Sequence, residues 1–124
     1  MTLLHTLPAT ELLLAYAQRR LSPVEVMHAV LDRIEHSEPR IAATWALDAD
    51  AALAMAHESE ARWRRGDARE LEGVPITLKE NIATEGTPMP LGCAATPLVP
   101  ALADAPPAAR LREAGAVLVC KTTM

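Results

Sequence analysis

In the stretch Gly73-Val74-Pro75-Ile76-Thr77-Leu78-Lys79-Glu80-Asn81 a short apolar run ends on a lysine, and Ala116-Val117-Leu118-Val119-Cys120-Lys121 repeats that arrangement. Lys79 and Lys121 are the only lysines of the chain; the other residues counted as cationic at neutral pH are all arginine. Each run is the length of a strand. A helix-like segment between them, from about Asp104 to Ala114, makes a strand, crossover, strand unit, which predicts two parallel neighbours. Their carboxyl ends then share one edge, the edge at which open α/β sheets bind ligands.

Working outward from that unit, 124 residues form one domain or part of one, able to bury about two-thirds of the surface of the unfolded chain. Half the residues are hydrophobic, yet Trp45, Trp63 and Tyr16 are the only aromatics, so the core must be aliphatic and rich in alanine. The net charge of −4 comes without a basic patch, which argues against nucleic-acid and anionic-membrane binding and favours small molecules or protein partners. Two cysteines, Cys93 and Cys120, are too few for a disulfide framework and lack metal-type spacing. With no charged leader and no apolar run near the roughly 20 residues of a membrane span, the expectation is a cytoplasmic protein.

Upstream, Thr10 is placed to cap a first helix over about 10–20 that ends on Arg19-Arg20. Ser22-Pro23-Val24-Glu25 supplies an N-cap hydroxyl, a proline at the first helical position and a capping-box glutamate, with Leu21 and Val26 as a hydrophobic staple. That opens a second helix over about 22–36, buried through Met27, Val30, Leu31 and Ile34 and stopped by Pro39. A short strand over about 42–47 precedes a third helix over about 48–65, opened by Asp48 and closed at Gly66, with Ala52, Met55, Ala56, Ser59 and Trp63 inward. The lysine-ended strands fall at about 74–79 and 116–121, and Asp104 is expected to cap a fourth helix over about 104–114. Between Ile82 and Ala103, four prolines and two glycines exclude helix and central strand, leaving a long structured loop read as a cover over the strand ends. A strand apolar on both faces, followed at once by Thr122-Thr123-Met124, wants more layers than these elements supply, and suggests a chain cut within its domain.

Lys79 is the leading chemical candidate. Alternation sets Val74, Ile76 and Leu78 on one face and Pro75, Thr77 and Lys79 on the other. Burial and a neighbouring cation such as Lys121 would favour its neutral form and make it a general base; the plainer reading is a lysine snorkelling to water. His28, Asp32 and His36 recur every fourth residue on the outer face of the second helix, which reads as a solvated polar face before it reads as a metal site. His5 and His57 read as surface residues. Ser22, Ser37 and Ser59, the only serines, occur at a helix cap, a helix end and mid-helix, so none looks like a nucleophile. Cys93 has no evident base beside it. No phosphate-cradling glycine loop is present, and no cofactor or metal is expected.

The residues Gly73 to Asn81, Asp104-Ala105-Pro106, Arg110 to Ala116, Lys121-Thr122-Thr123-Met124 and Leu21 to Glu25 resemble the amino-terminal third of amidase signature hydrolases. The resemblance covers essentially the whole chain. It implies an α/β fold, here a partial three-layer α/β/α sandwich: amino-terminal helices plus the first strands of a mixed sheet, incomplete as it stands. It also implies hydrolysis of small-molecule amides through a Ser-cis-Ser-Lys triad and an acyl-enzyme. On it Lys79 is the triad lysine, exchanging a proton with a bridging serine, while both serines lie in sequence beyond Met124. Glu80 stands where the family usually has aspartate, Thr123 where asparagine is common, and Pro90-Leu91-Gly92-Cys93 where a small, threonine-rich stretch is usual. Two other functions stay open: a non-catalytic fragment or binding module that pairs with a second copy through an unfinished sheet edge, and an amidotransferase-like subunit that supplies ammonia to a partner.

Overall fold

The computed structural model describes residues 2–124. After a turn of 3-10 helix at Leu4–Thr6, the elements are α1 (Ala9–Ala17), α2 (Pro23–Ile41), β1 (Thr44–Trp45), α3 (Ala49–Arg65), β2 (Pro75–Lys79), α4 (Pro106–Glu113) and β3 (Val117–Thr122). The three strands form one mixed sheet in the order β1-β3-β2, with β3 parallel to β2 and antiparallel to β1. This is the partial α/β architecture expected from the sequence. Among the described residues no helix is long and apolar enough to cross a membrane.

Local chemistry sets most boundaries. At the head of α2, Glu25 N donates to Ser22 Oγ at 3.1 Å and Ser22 N donates to Glu25 Oε2 at 2.8 Å, so two otherwise orphaned donors are satisfied reciprocally. Asp48 caps α3 by accepting from Ala51 N at 3.0 Å, and Gly66 closes it in the left-handed conformation that glycine adopts without strain.

Four local expectations are corrected. Helix α1 starts after Pro8, whose carbonyl accepts from both Glu11 N and Leu12 N, which leaves Thr10 inside the helix. Pro39 does not stop α2, which runs to Ile41. The proline falls in the last turn, and Glu38 secures the exit by accepting from Thr44 N through its carboxylate and from Ala42 N through its carbonyl. Strand β1 is only two residues long, because Ala42 and Ala46 on either side take positive φ and end the extended run. Helix α4 has Ala105 at its N-cap with no side-chain cap, because Asp104 is engaged elsewhere.

The core lies between β3 and the α2–α3 pair. Val117 and Val119 pack against Met27 of α2 and Ala52 and Ala56 of α3, the alanines allowing close approach of helix to sheet. A second cluster joins Leu12 and Tyr16 of α1 to Val26 of α2. These layers hold β3 rigidly, and β2 is hydrogen-bonded along it.

Candidate active site

Strand β2 delivers Lys79 to the carboxyl edge of the parallel pair. Leu78 points into the protein, whereas Thr77 and Lys79 are exposed. The chain turns immediately afterwards: Lys79 O accepts from Ile82 N at 2.9 Å, while Glu80 N donates to Thr122 O at 2.8 Å and extends the ladder by one bond. The backbone of Lys79 is therefore fixed on both sides while its ammonium group is free to leave the sheet.

The two lysines do not meet. In the first part of the ladder Pro75 pairs with Val117 and Ile76 with Leu118, a register that would set Lys79 beside Lys121. A bulge intervenes. Thr77 pairs with Cys120, Leu78 with Lys121 and Lys79 with Thr122, so Val119 is the extra residue. Paired residues of neighbouring strands share a face, and a one-residue slip reverses every face beyond it. Lys79 and Lys121 consequently project from opposite faces, and the expectation that Lys121 acts as a cation beside Lys79 is withdrawn.

The slip buries the second lysine instead. Lys121 is only 1% exposed, and its Nζ donates to Ile82 O at 2.6 Å. Loss of water pushes its pKa below the ordinary lysine value, a shift opposed by Glu80 and Asp104. Glu80 is itself buried and accepts through Oε1 from Gly92 N, halfway along the proline-rich loop. Asp104 accepts from Glu85 N at 2.7 Å through Oδ1 and pairs with Arg112 Nε at 2.9 Å through Oδ2.

The loop over residues 82–103 is stapled at its neck. Ala105 N donates to Ala83 O at 2.8 Å, Gly86 N to Ala101 O at 2.9 Å and Ala101 N to Thr87 O at 3.1 Å. Its distal part flanks a cleft of about 430 Å³ lined by residues including Trp45, Glu80, Pro90, Gly92, Cys93 and Leu98. Lys79 precedes Glu80 in sequence but is not among the residues that line this cleft.

The remaining candidates are dispersed. Cys93 is exposed at the cleft, with its thiol pKa lowered by hydrogen bonds from the backbone of Ala95 and from Thr96. Cys120 is buried, and loss of water together with Glu38 raises its pKa. His36 is taken up locally, its Nδ1 lying 2.8 Å from Asp32 O on an exposed face. Ser22 serves the α2 cap and Ser59 donates to Glu72. Sequence reasoning missed the convergence of Lys121, Glu80 and Asp104; the available signal was a lysine closing a strand apolar on both faces.

With this geometry established, comparison with known proteins decides the family. The model of the family described as Amidase matches residues 25–124. The chain belongs to the amidase signature family. Among curated amidase relatives, a glutamyl-tRNA(Gln) amidotransferase subunit of Roseiflexus sp. (strain RS-1) is 39% identical over 124 residues, covering 98% of this chain and 25% of that protein. Among solved amidase structures, the native peptide amidase from Stenotrophomonas maltophilia superposes with a TM-score of 0.83 at 31% identity, over 94% of this chain and 24% of that one. An inhibitor-bound vestigial protein complex, described as revealing the origins of an s-triazine catabolic enzyme, superposes with a TM-score of 0.88 at 30% identity, over 95% and 26%. The chain thus spans about a quarter of the length of the amidase-family proteins it matches.

Proposed function

We propose that Lys79 is the proton-transfer lysine of a hydrolase acting on carboxylic amide C–N bonds through a Ser-cis-Ser-Lys triad. The observation that carries this reading is its position: an exposed amine on a fixed backbone at the carboxyl end of a sheet strand, in a chain of the amidase signature family. In its neutral form the amine would accept a proton from the bridging serine, which in turn would take the proton of the nucleophilic serine as that oxygen attacks the amide carbonyl. The proton would return to the departing nitrogen, and water would then hydrolyse the acyl-enzyme. The family resemblance puts both serines beyond Met124, and Ser22, Ser37 and Ser59 are structurally committed elsewhere or lie on helices. The 124 residues alone are therefore expected to be inactive. The substrate is a small-molecule amide, and free Cys93 and Cys120 are consistent with a cytoplasmic site of action.

The test compares this chain with a form extended through the serine-bearing segment, assayed on simple primary amides. The short form should show no turnover, and Lys79→Ala in the long form should lower kcat at least about 100-fold. Turnover by the short form, or an undiminished rate in Lys79→Ala, would reject the proposal.

A second reading is favoured by the 39% identity to an amidotransferase component. In it the same lysine serves amide cleavage whose ammonia passes to a partner enzyme. Co-purification of a partner protein, and ammonia release that rises on adding it, would select this reading over free hydrolysis.

A further inference from the structure

We propose that Lys121 is a positioning residue: its buried ammonium group locks the turn that follows Lys79 and holds the proline-rich loop against the strand ends. The positioning role rests on the reading of Lys79 given above; the lock itself does not.

The lock follows from where four polar groups converge. Lys79 O accepts from Ile82 N, and Ile82 O accepts from Lys121 Nζ at 2.6 Å, so one residue is gripped through both of its backbone groups. The grip spans 39 residues of sequence and joins β3, the most deeply buried strand, to the end of edge strand β2. Glu80 and Asp104 face the same ammonium from the end of β2 and from the head of α4, and Asp104 is further paired with Arg112 of α4. Both carboxylates also accept loop amides, Glu80 from Gly92 and Asp104 from Glu85. The Lys121 ammonium therefore lies in the field of two carboxylates that fasten the loop at its neck and at its midpoint, Asp104 being shared with Arg112. A buried lysine with this little access to water is costly unless its charge is compensated, and here the hydrogen bond to Ile82 O and the longer-range charges of Glu80 and Asp104 compensate it.

Without the cation, Glu80 and Asp104 lose a favourable charge, and the Ile82 carbonyl, which also accepts from Thr84 Oγ1 at 3.1 Å, loses its charged donor. The turn after Lys79 and the loop should then loosen together, while the core between β3 and the helices stays intact. Lys121→Met keeps the volume and apolar stem and removes the charge; Lys121→Arg keeps a cationic donor. Lys121 would act at a distance from the reacting atoms, through the backbone of residues 79–82.

Amide hydrogen exchange on the 124-residue chain tests this. Lys121→Met should lower protection at Ile82, Glu85 and Gly92 by about tenfold and leave Val117 unchanged, and Lys121→Arg should restore part of it. Retained protection in Lys121→Met, or equal loss in the Met and Arg variants, overturns the proposal, since simple packing would be met by methionine. If neither variant folds, a 13C titration of the wild-type chain decides. The Ile82 carbonyl and the Lys121 side chain should titrate with one midpoint, below the ordinary lysine value of about 10.4; an Ile82 carbonyl that ignores Lys121 overturns the proposal. None of these readouts needs turnover, so failure of the Lys79 assay leaves them standing, and their failure leaves the role of Lys79 untouched.

Discussion

Glu72 shows how much one buried side chain can organise. It is fully buried, accepting from Ser59 Oγ at 2.7 Å and from Arg69 Nε and Nη2 at 2.8 and 3.1 Å, with Arg62 Nε 3.7 Å away. Burial by itself pushes its pKa upward, but the hydrogen bonds from Arg69 and Ser59 and the charge of Arg69 outweigh that and hold it below the usual glutamate range. The folded state thus binds the proton less readily than the unfolded state. The stabilisation is fully present above the unfolded pKa, about 4.3, and is lost as pH falls through the lower folded value. Urea melts from pH 7 to pH 3 should show this loss in the wild type. Glu72→Gln should be less stable at pH 7, by about 1.5–3 kcal/mol, and flatter towards acid; an unchanged acid slope would mean that another carboxylate is responsible. The sequence held a partial signal for this site. Ser59 falls on the inward face of α3, where a buried hydroxyl requires a partner, but nothing local named a residue 13 positions away as that partner.

At the scale of elements, the starts of β2 and β3 are joined by glycines where a Cβ would meet neighbouring atoms closer than 3.0 Å. Gly73 N donates to Gly115 O at 3.0 Å, with φ of 82° and 93° at the two residues. A Cβ on Gly115 would lie 2.9 Å from Glu72 Cα, a backbone atom that cannot swing aside, whereas a Cβ on Gly66 would meet nothing within 4 Å. Both positions are left-handed, so Gly66→Ala should cost about 1 kcal/mol from conformation alone. Gly115→Ala should cost about 2–4 kcal/mol, because overpacking adds to that strain. Chemical denaturation of the two variants checks the ordering, and equal losses would contradict it. Helix faces, the Ser22 cap and the parallel β2–β3 unit were legible because apolar period and capping chemistry are local. The bulge at Val119 was not. It adds one residue to an otherwise uniform apolar run, and its consequence, separating Lys79 from Lys121, exists only once two strands are paired. The same non-locality explains Asp104: sequence position makes it a helix cap, but Glu85 N and Arg112 claim its two oxygens.

At the scale of the molecule, the three strands leave β2 and β1 as edges, and only β3 is paired on both sides. The accessible surface is 7380 Å² for a mass of 13.3 kDa, against about 6450 Å² for a compact monomer of that mass. The excess is consistent with the loop, where Leu98, Val99 and Leu102 are 64%, 68% and 93% exposed. An unpaired edge supplies free backbone donors and acceptors, and exposed apolar side chains supply a driving force for covering them. Left as it is, the 124-residue chain should self-associate. Sedimentation velocity over the micromolar range should show a weight-average mass that rises with concentration, and the double variant Val99→Glu, Leu102→Glu should reduce the rise. A constant monomer mass across that range would argue that the edge and the loop are already protected. An unchanged rise in the double variant would place the association on the strand edge and not on the loop.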